Sequence, residues 1–215
     1  GLDVISAGVA LAWAAEASEK GLIGPDQTGE ALRFGDAEAF RRAVERLGRA
    51  ENDFYARLAQ GALVAAEEYG GRDFACVLGQ EMAGYATGEV FFVAEALGFR
   101  HSHLDTSAYS FEQKHLDRDL ERDVAFLVSN EPERVFLNCM VACLFSRGVY
   151  KDELLAEALR CVGYKGLAEN MGRVAEDMRR LRWRTRLRTG YDPEEARIPK
   201  RFSEVVSAKG PVDAG

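Results

Sequence analysis

The sequence predicts an all-α, multi-helical protein. Two observations carry that prediction. Apolar residues recur at helical spacing along almost all of the 215 residues. Strand-like segments fall far below the roughly one fifth to one quarter of residues that ordinary globular domains place in strands. No internal repeat and no low-complexity linker interrupts the pattern.

The chain opens Gly1-Leu2-Asp3-Val4-Ile5-Ser6, without an initiator methionine, and runs at once into an apolar helical stretch, Ala7 to Ala15. This opening reads as the interior of a larger polypeptide, cut at a helix start. Residues 4–19 form an alanine-rich helix stopped by Gly21. Residues 22–35 read as a loop with Gly24-Pro25-Asp26 turn chemistry. Asp36 is an N-cap for a helix whose apolar stripe is Ala39, Phe40, Val44 and Leu47. A further helix spans 52–69 and ends at Gly70-Gly71. Residues 73–78, bounded by glycines, are the best strand candidate. A short helix follows over 88–98, and then a loop over 99–110. Later helices are predicted over 117–129, 132–147, 151–162 and 166–182, with Pro132 in a first helical turn. From Gly190 onward prolines and charges dominate, which predicts an extended tail.

Composition sets the broad class. At 47% hydrophobic and 29% charged residues the chain is globular rather than disordered. A net charge of −7 argues against nucleic-acid binding, which needs a positive footprint. The apolar run between Asp3 and Glu16 is shorter than the ~20 residues that span a bilayer, and it lacks a basic flank. A soluble, cytoplasmic protein is expected, with no membrane partner. Cys76, Cys139, Cys143 and Cys161 form no C-x-x-C pair. Cysteine packs like a small hydrophobe, so buried free thiols are expected for most of them. Arg173, Arg179, Arg180, Arg182, Arg184, Arg186 and Arg188 crowd one stretch around Trp183. Pairing with Glu176 and Asp177 explains that run better than nucleic acid does.

An ordered set of motifs resembles the tungsten-dependent aldehyde:ferredoxin oxidoreductases. Gly1-Leu2-Asp3-x-Ile5-Ser6-x-Gly8 resembles a pterin-contacting motif of that family. Leu32-Arg33-Phe34-Gly35-Asp36-Ala37-Glu38-Ala39 and Leu58-Ala59-Gln60-Gly61 resemble the signatures that follow it. Val77-x-Gly79-x-Glu81-Met82-x-x-Tyr85 resembles the family's V-x-G-x-E-M-P-A-Y segment. Arg188-x-Gly190-Tyr191 and Ile198-Pro199-x-Arg201-Phe202 resemble its closing R-x-G-F and L-P-x-R-F. The resemblance implies the C-terminal, all-helical part of such an enzyme. Residues 1–80 would end a middle helical domain and 81–215 form the C-terminal one. An N-terminal β-rich domain covering a tungsten (or molybdenum) bispterin would lie outside this sequence.

The resemblance also implies site residues. The family holds one [4Fe-4S] cluster, with three cysteines in an upstream C-x-x-C-x-x-x-C run and the fourth ending a D-x-x-G-L-C motif. Here that slot reads Asn138-Cys139-Met140-Val141-Ala142-Cys143, which makes Cys143 the fourth ligand. Leu2, Asp3, Asn138 and Ala142 take the pterin-contacting places. Asp3 is also a plain N-cap for the helix after it. Asn138 keeps an acceptor oxygen but loses the aspartate's charge. Val141 stands where the family has glycine, and a β-branched residue there is expected to forbid positive φ. His103-Leu104 falls where the family has a histidine-leucine near the metal, placed to give a proton or hydrogen bond to the substrate oxygen. His101, two residues away, lacks helical metal-ligand spacing, and His115 reads as solvated. Between Tyr85 and His103 the family's aspartate-proline-arginine-glycine turn is missing.

The implied parent oxidises a small aldehyde to a carboxylic acid, passing electrons from tungsten–bispterin through the cluster to ferredoxin. The 215-residue piece alone is expected to hold neither cofactor and to be inactive, and a homo-oligomer is compatible with it. A second class of function is a non-catalytic helical scaffold, suggested by the altered slot at 138–143 and the missing turn.

Overall fold

Asp3 starts the first helix: its side chain accepts the Ser6 N–H at 2.7 Å and caps α1 (Val4–Glu19). The structure, a computed structural model, describes residues 1–77, 80–81, 84–196 and 199–212. The predicted loop at 22–35 contains one helical turn, α2 (Pro25–Thr28), begun by Pro25 where a missing N–H costs nothing. Asp36 caps α3 (Ala37–Arg49) by accepting the Ala39 N–H at 2.9 Å. The buried face of α3 is Ala39, Ala43 and Leu47. Val44 of the predicted stripe is exposed, because it lies about 100° around the helix from Ala43.

The helix predicted over 52–69 is two, α4 (Asp53–Leu58) and α5 (Ala62–Tyr69). Gly61 separates them at φ 117°, a conformation that L side chains avoid. Glu81 then accepts the Ala62 N–H at 2.8 Å and so caps α5 from a distant segment. The strand predicted over 73–78 is largely absent. Arg72–Ala75 is a helical turn, α6, and the strand β1 is only Cys76–Val77, antiparallel to β2 (Gln80–Glu81). Gly70 and Gly71, both at positive φ, bend the chain so that Phe74 N–H bonds the Gly71 carbonyl, which starts a helical turn instead. Leu78, and Gly79 and Met82 of the motif around Glu81, lie outside the described residues.

α1, α3, α4 and α5 enclose the first core, around Trp13, Leu47, Phe54, Tyr55 and Leu58. Alanines line it, so the helices approach closely. Trp13 Nε1 donates to the Gly71 carbonyl at 3.0 Å, and Tyr55 OH donates to the Thr28 carbonyl at 3.0 Å.

A second core joins α7 (Glu89–Leu97) and α8 (Ala108–Glu112), the latter inside the loop predicted over 99–110. A third joins α9 (Leu120–Cys139), α10 (Asp152–Cys161), α11 (Lys165–Ala168) and α12 (Met171–Arg188). The two helices predicted over 117–129 and 132–147 are therefore one, with Pro132 in its interior. The proline removes a hydrogen bond to the Val128 carbonyl, but Val128 lies on the exposed side of the helix, where solvent is the alternative donor. The helix ends at Cys139, and Leu144–Ser146 is a separate 3₁₀ turn.

The tail from Gly190 is not extended. It forms a 3₁₀ turn (Pro193–Glu195), α13 (Arg201–Glu204) and a hairpin of β3 (Val206–Ser207) and β4 (Gly210–Pro211). Phe202 is buried and stacks on Phe92 with ring centroids 4.0 Å apart. Arg201 pairs with Glu16 of α1, and Ala208 N–H bonds the Ala86 carbonyl at 2.9 Å. Ile198 lies outside the described residues. With strands limited to these short pairs among the described residues, the chain is all-α and multi-helical, as the sequence predicts.

α7 begins at Gly88, which has no side chain to cap it. Glu112 does so instead, accepting the N–H groups of Val90 at 3.1 Å and Phe91 at 3.0 Å and the Thr87 hydroxyl at 3.0 Å. Its negative charge also suits the positive end of the helix dipole. A Cβ at Gly88 would meet Glu112 Oε1 at 2.3 Å, so a larger residue there would displace the capping carboxylate. The fully buried Lys209 ammonium reaches Glu112 at 3.1 Å and Asp123 at 3.4 Å. Glu112→Gln leaves that ammonium poorly matched and should cost about 3–5 kcal/mol in chemical denaturation. A loss below about 1 kcal/mol would contradict this account of the network.

Candidate active site

His103 sits on the loop between α7 and α8, and its neighbours fix that loop. The buried Asp105 carboxylate accepts Arg100 N–H at 2.7 Å and Arg100 Nε at 2.8 Å. Arg182 of α12 approaches the same carboxylate at 3.4 Å. His101, at φ 53°, is pinned from both sides. Its Nδ1 contacts the Glu95 carbonyl at 3.0 Å, and its Nε2 meets the Arg186 guanidinium. A guanidinium only donates, so Nε2 is the acceptor, Nδ1 carries the proton, and the ring is neutral. Burial holds the His101 pKa below the ordinary histidine value, in agreement. His101 is thus a structural group.

His103 is different: among the described residues its ring nitrogens bond to nothing. The ring packs against Tyr85 and Tyr109, centroids 5.6 and 6.1 Å away, and those two phenols stack at 4.5 Å. Burial, and then the Arg100 charge, hold its pKa below the ordinary value. A neutral imidazole near pH 7 offers one N–H to a substrate oxygen as a hydrogen-bond donor. The ring lines a cavity of about 60 Å³ with Tyr85, Tyr109, Leu144, Arg134 and Arg147.

The end of α9 closes on the same loop. Asn138 Nδ2 donates to the Leu104 carbonyl at 3.3 Å, which ties the helix to the residue after His103 and leaves Oδ1 to accept another donor. Val141 corrects the sequence reading, because it takes φ 57°. Ala142 N–H bonds the Leu137 carbonyl at 3.2 Å and Val141 N–H the Asn138 carbonyl at 3.1 Å. These are the two bonds of a Schellman C-cap, with Val141 in the left-handed position that glycine normally takes. They hold a β-branched residue where sterics disfavour it by about 1–2 kcal/mol. Val141 is 92% exposed, so packing does not compel the conformation. Cys143 follows this turn. Cys139, Cys143 and Cys161 are all exposed, against the expectation of buried thiols, because Cys139 and Cys161 end their helices and Cys143 precedes a 3₁₀ turn.

A family profile described as aldehyde ferredoxin oxidoreductase, domains 2 and 3, matches residues 1–214. The chain belongs to the aldehyde ferredoxin oxidoreductase family. It is 25% identical over 225 aligned positions to the tungsten-containing aldehyde ferredoxin oxidoreductases of Pyrococcus furiosus and of Thermococcus kodakarensis. Each alignment covers 98% of this chain and 37% of the relative, so the chain spans just over a third of the length of these relatives.

The residues that the sequence reading assigns to cofactors fall at two places in the fold of this aldehyde ferredoxin oxidoreductase family member. Asn138, Ala142 and Cys143 share one helix end, bonded to the His103–Leu104 segment. Leu2 and Asp3 stand exposed at the start of α1, placed by the first core. Asp3 Oδ1 caps the helix, and the Ser6 N–H bond holds its carboxyl below the usual range. Among the described residues no three histidine, cysteine or carboxylate side chains gather as a metal site. The Cys143 sulfur is free and exposed, so it is accessible to a cluster. Asp3, with a second carboxylate oxygen available, fits a pterin amino group. No helix among the described residues is long and apolar enough to cross a membrane.

Sequence reasoning missed Arg134, Tyr109 and Glu95. Arg134 stands next to Glu133 at the edge of the apolar run Val135-Phe136-Leu137, so in sequence it reads as part of a surface charge pair. Nothing local marks Glu95, which is 1% exposed with neither carboxylate oxygen hydrogen-bonded among the described residues. Burial, then Asp105, pushes its pKa up to about 8 from 4.5, so it is protonated at neutral pH. His115 is half-buried, with Nδ1 2.9 Å from the Phe111 carbonyl, rather than simply solvated. Glu176 pairs with Arg179 and Arg180 as predicted.

Two outcomes follow. A raised carboxyl pKa makes the folded state bind more protons than the unfolded state, so the Glu95 contribution to stability falls as pH rises from 4.5 to about 8. The stabilising effect of Glu95→Gln, read from thermal melts, should therefore grow between pH 5 and pH 8.5; an effect that is flat or shrinks would contradict the burial argument. Val141→Gly should raise stability by about 0.5–1 kcal/mol, since relief of strain exceeds the added freedom of the unfolded chain. Destabilisation on urea unfolding would contradict the strained cap.

Proposed function

We propose that this chain is the helical part of an enzyme that oxidises aldehydes to carboxylic acids and delivers the electrons to ferredoxin. Residues 1–80 end its middle domain and residues 81–215 form its C-terminal domain, consistent with a first core confined to residues 10–66. Each turnover takes one aldehyde and one water to one carboxylate, three protons and two electrons, with two ferredoxins each accepting one electron. When bound, the tungsten–bispterin and [4Fe-4S] groups supply the redox chemistry. The chain's own residues bind and position. His103 donates its N–H to the aldehyde oxygen, and the Tyr85–Tyr109 pair keeps water from its flank. Asp3 and Asn138 accept from pterin amino groups, with Leu2 and Ala142 against them, and Cys143 gives the cluster one thiolate.

One observation carries this reading over the scaffold alternative: the turn at residues 138–142 keeps a glycine-type conformation although the glycine is Val141. A scaffold has no need to hold a costly left-handed valine; a backbone turn that must present Cys143 and Asn138 does. We further propose that the protein works in the cytoplasm and that the 215-residue chain alone holds no stoichiometric iron or tungsten.

In the full-length protein, Cys143→Ala should lose the cluster by iron content and visible absorbance. Cys139→Ala should keep it and cost roughly 1 kcal/mol or less. Loss of the cluster in Cys139→Ala with retention in Cys143→Ala would overturn the assignment. His103→Phe should lower kcat by roughly 10²-fold or more while leaving the cluster spectrum intact.

A further inference from the structure

The Lys209 side chain is fully buried, and its ammonium lies 3.1 Å from Glu112 Oε1 and 3.4 Å from Asp123 Oδ2. The Glu112 side chain is fully buried too, and that of Asp123 is only 11% exposed. An amine, a carboxyl carbon and a second carboxylate thus meet in a nearly dry place. Each charge there forfeits most of its hydration, which is costly.

The two carboxylates are not equivalent. Glu112 accepts from the N–H groups of Val90 and Phe91 and from the Thr87 hydroxyl as well as from Lys209. Those bonds lock it in place beside the amine as a proton acceptor. Asp123 is held differently. Arg122 Nε and Nη2 both donate to its Oδ1, at 3.1 and 3.0 Å, while Oδ2 turns to Lys209. Two guanidinium donors on one oxygen are placed for the negative charge that builds there when a nucleophile adds to the carbon. The other oxygen lies beside the proton source and is the one able to leave.

We propose that Lys209 and Asp123 condense to an intramolecular isopeptide bond, with Glu112 as the proton relay. The Lys209 ammonium gives a proton to Glu112, and Glu112 passes it to Asp123 Oδ2 as the free Nζ adds to Cγ. The C–N bond forms, and negative charge gathers on Oδ1 under Arg122. The bond from Cγ to Oδ2 then breaks, and Oδ2 takes a second proton from Nζ and leaves as water. One ammonium and one carboxylate become one amide and one water, so charge balances and no oxidant, reductant or co-reactant is needed. In water this condensation is unfavourable because it discharges two hydrated ions; here both ions are already stripped of most of their water. The reacting groups are also held in contact, which replaces a bimolecular encounter. The exposed edge of Asp123 gives the released water a way out. The ion triad is the reactant, and the amide keeps the hairpin in the same place. The bond ties the β3–β4 hairpin to α9 across 86 positions of sequence. Like other cross-links it restricts the unfolded chain, but unlike a disulfide it is indifferent to reductant. It is independent of the aldehyde chemistry proposed above.

Mass spectrometry of the full-length protein, denatured and reduced, tests the bond. The wild-type chain should be lighter than its sequence mass by one water, and digestion should release the peptide carrying Asp123 joined to the peptide carrying Lys209. Folded wild-type protein without that joined peptide, or with Lys209 linked to Glu112 instead, would overturn the proposal. Lys209→Arg should regain the missing water; a variant that still lacks it would place the dehydration elsewhere and overturn the assignment. Glu112→Gln should stay unlinked, which leaves the poorly matched ammonium described for that variant. A folded Glu112→Gln that is linked would overturn the relay. Should that variant not fold, Arg122→Ala decides, read by the rate at which freshly synthesised chain becomes linked. It should slow linkage by roughly 10²-fold, the loss expected for one oxyanion donor group. An unchanged rate would overturn the proposed chemistry.

Discussion

The buried Lys209 ammonium, held between Glu112 and Asp123, is the constraint on which the C-terminal part of this fold depends. Glu112 is at once the cap of α7, the end of α8 and one partner of Lys209, while Asp123 belongs to α9. One charge from the hairpin thus locks three helices. A buried ion pair of this kind adds little net stability against an apolar replacement, yet breaking it is expensive. Its effect is positional. α7 and α8 bracket the loop that carries His103, and α9 carries Arg134, Asn138 and the turn leading to Cys143. The tail that looks dispensable in sequence is what brings these segments into register.

Of the three non-glycine residues at positive φ among the described residues, His101 and Val141 lie on the His103 loop and at the end of α9, and Ala50 ends α3. Val141 is held left-handed, His101 takes φ 53° under a guanidinium, and Arg134 lacks an acceptor among the described residues. Ordinary stability selection removes such features where nothing requires them. Here they surround the His103 cavity and the end of α9. The first core is built of alanine-lined helices with carboxylate and amide caps at Asp3, Asp36 and Asn52, and α3 ends on a left-handed Ala50.

Local chemistry made the first half legible. Asp3 and Asp36 announce helices because their side chains satisfy N–H groups three residues on, and the structure finds both bonds. Position 103 and the 138–143 slot were legible only through ordered motif resemblance, since a lone histidine on a loop has no periodicity to betray it. What sequence did not reveal was long-range. Pro132 reads as a helix start, and only an exposed partner carbonyl lets α9 continue through it. Lys209 reads as a tail charge, and only Glu112, 97 positions earlier, and Asp123 make it a core residue. Val141 reads as a lost glycine, while hydrogen bonds from its neighbours restore the glycine's conformation.

The central claim is that the end of α9 and the His103 loop form one cofactor-facing surface. The most direct measurement is anomalous diffraction at the iron and tungsten edges from crystals of the full-length protein. The account predicts an iron peak at bonding distance from Cys143 Sγ, none at Cys139, and a tungsten peak on the side of the loop that His103 faces. Iron bound at Cys139, or heavy-atom peaks that leave this surface bare, would contradict it.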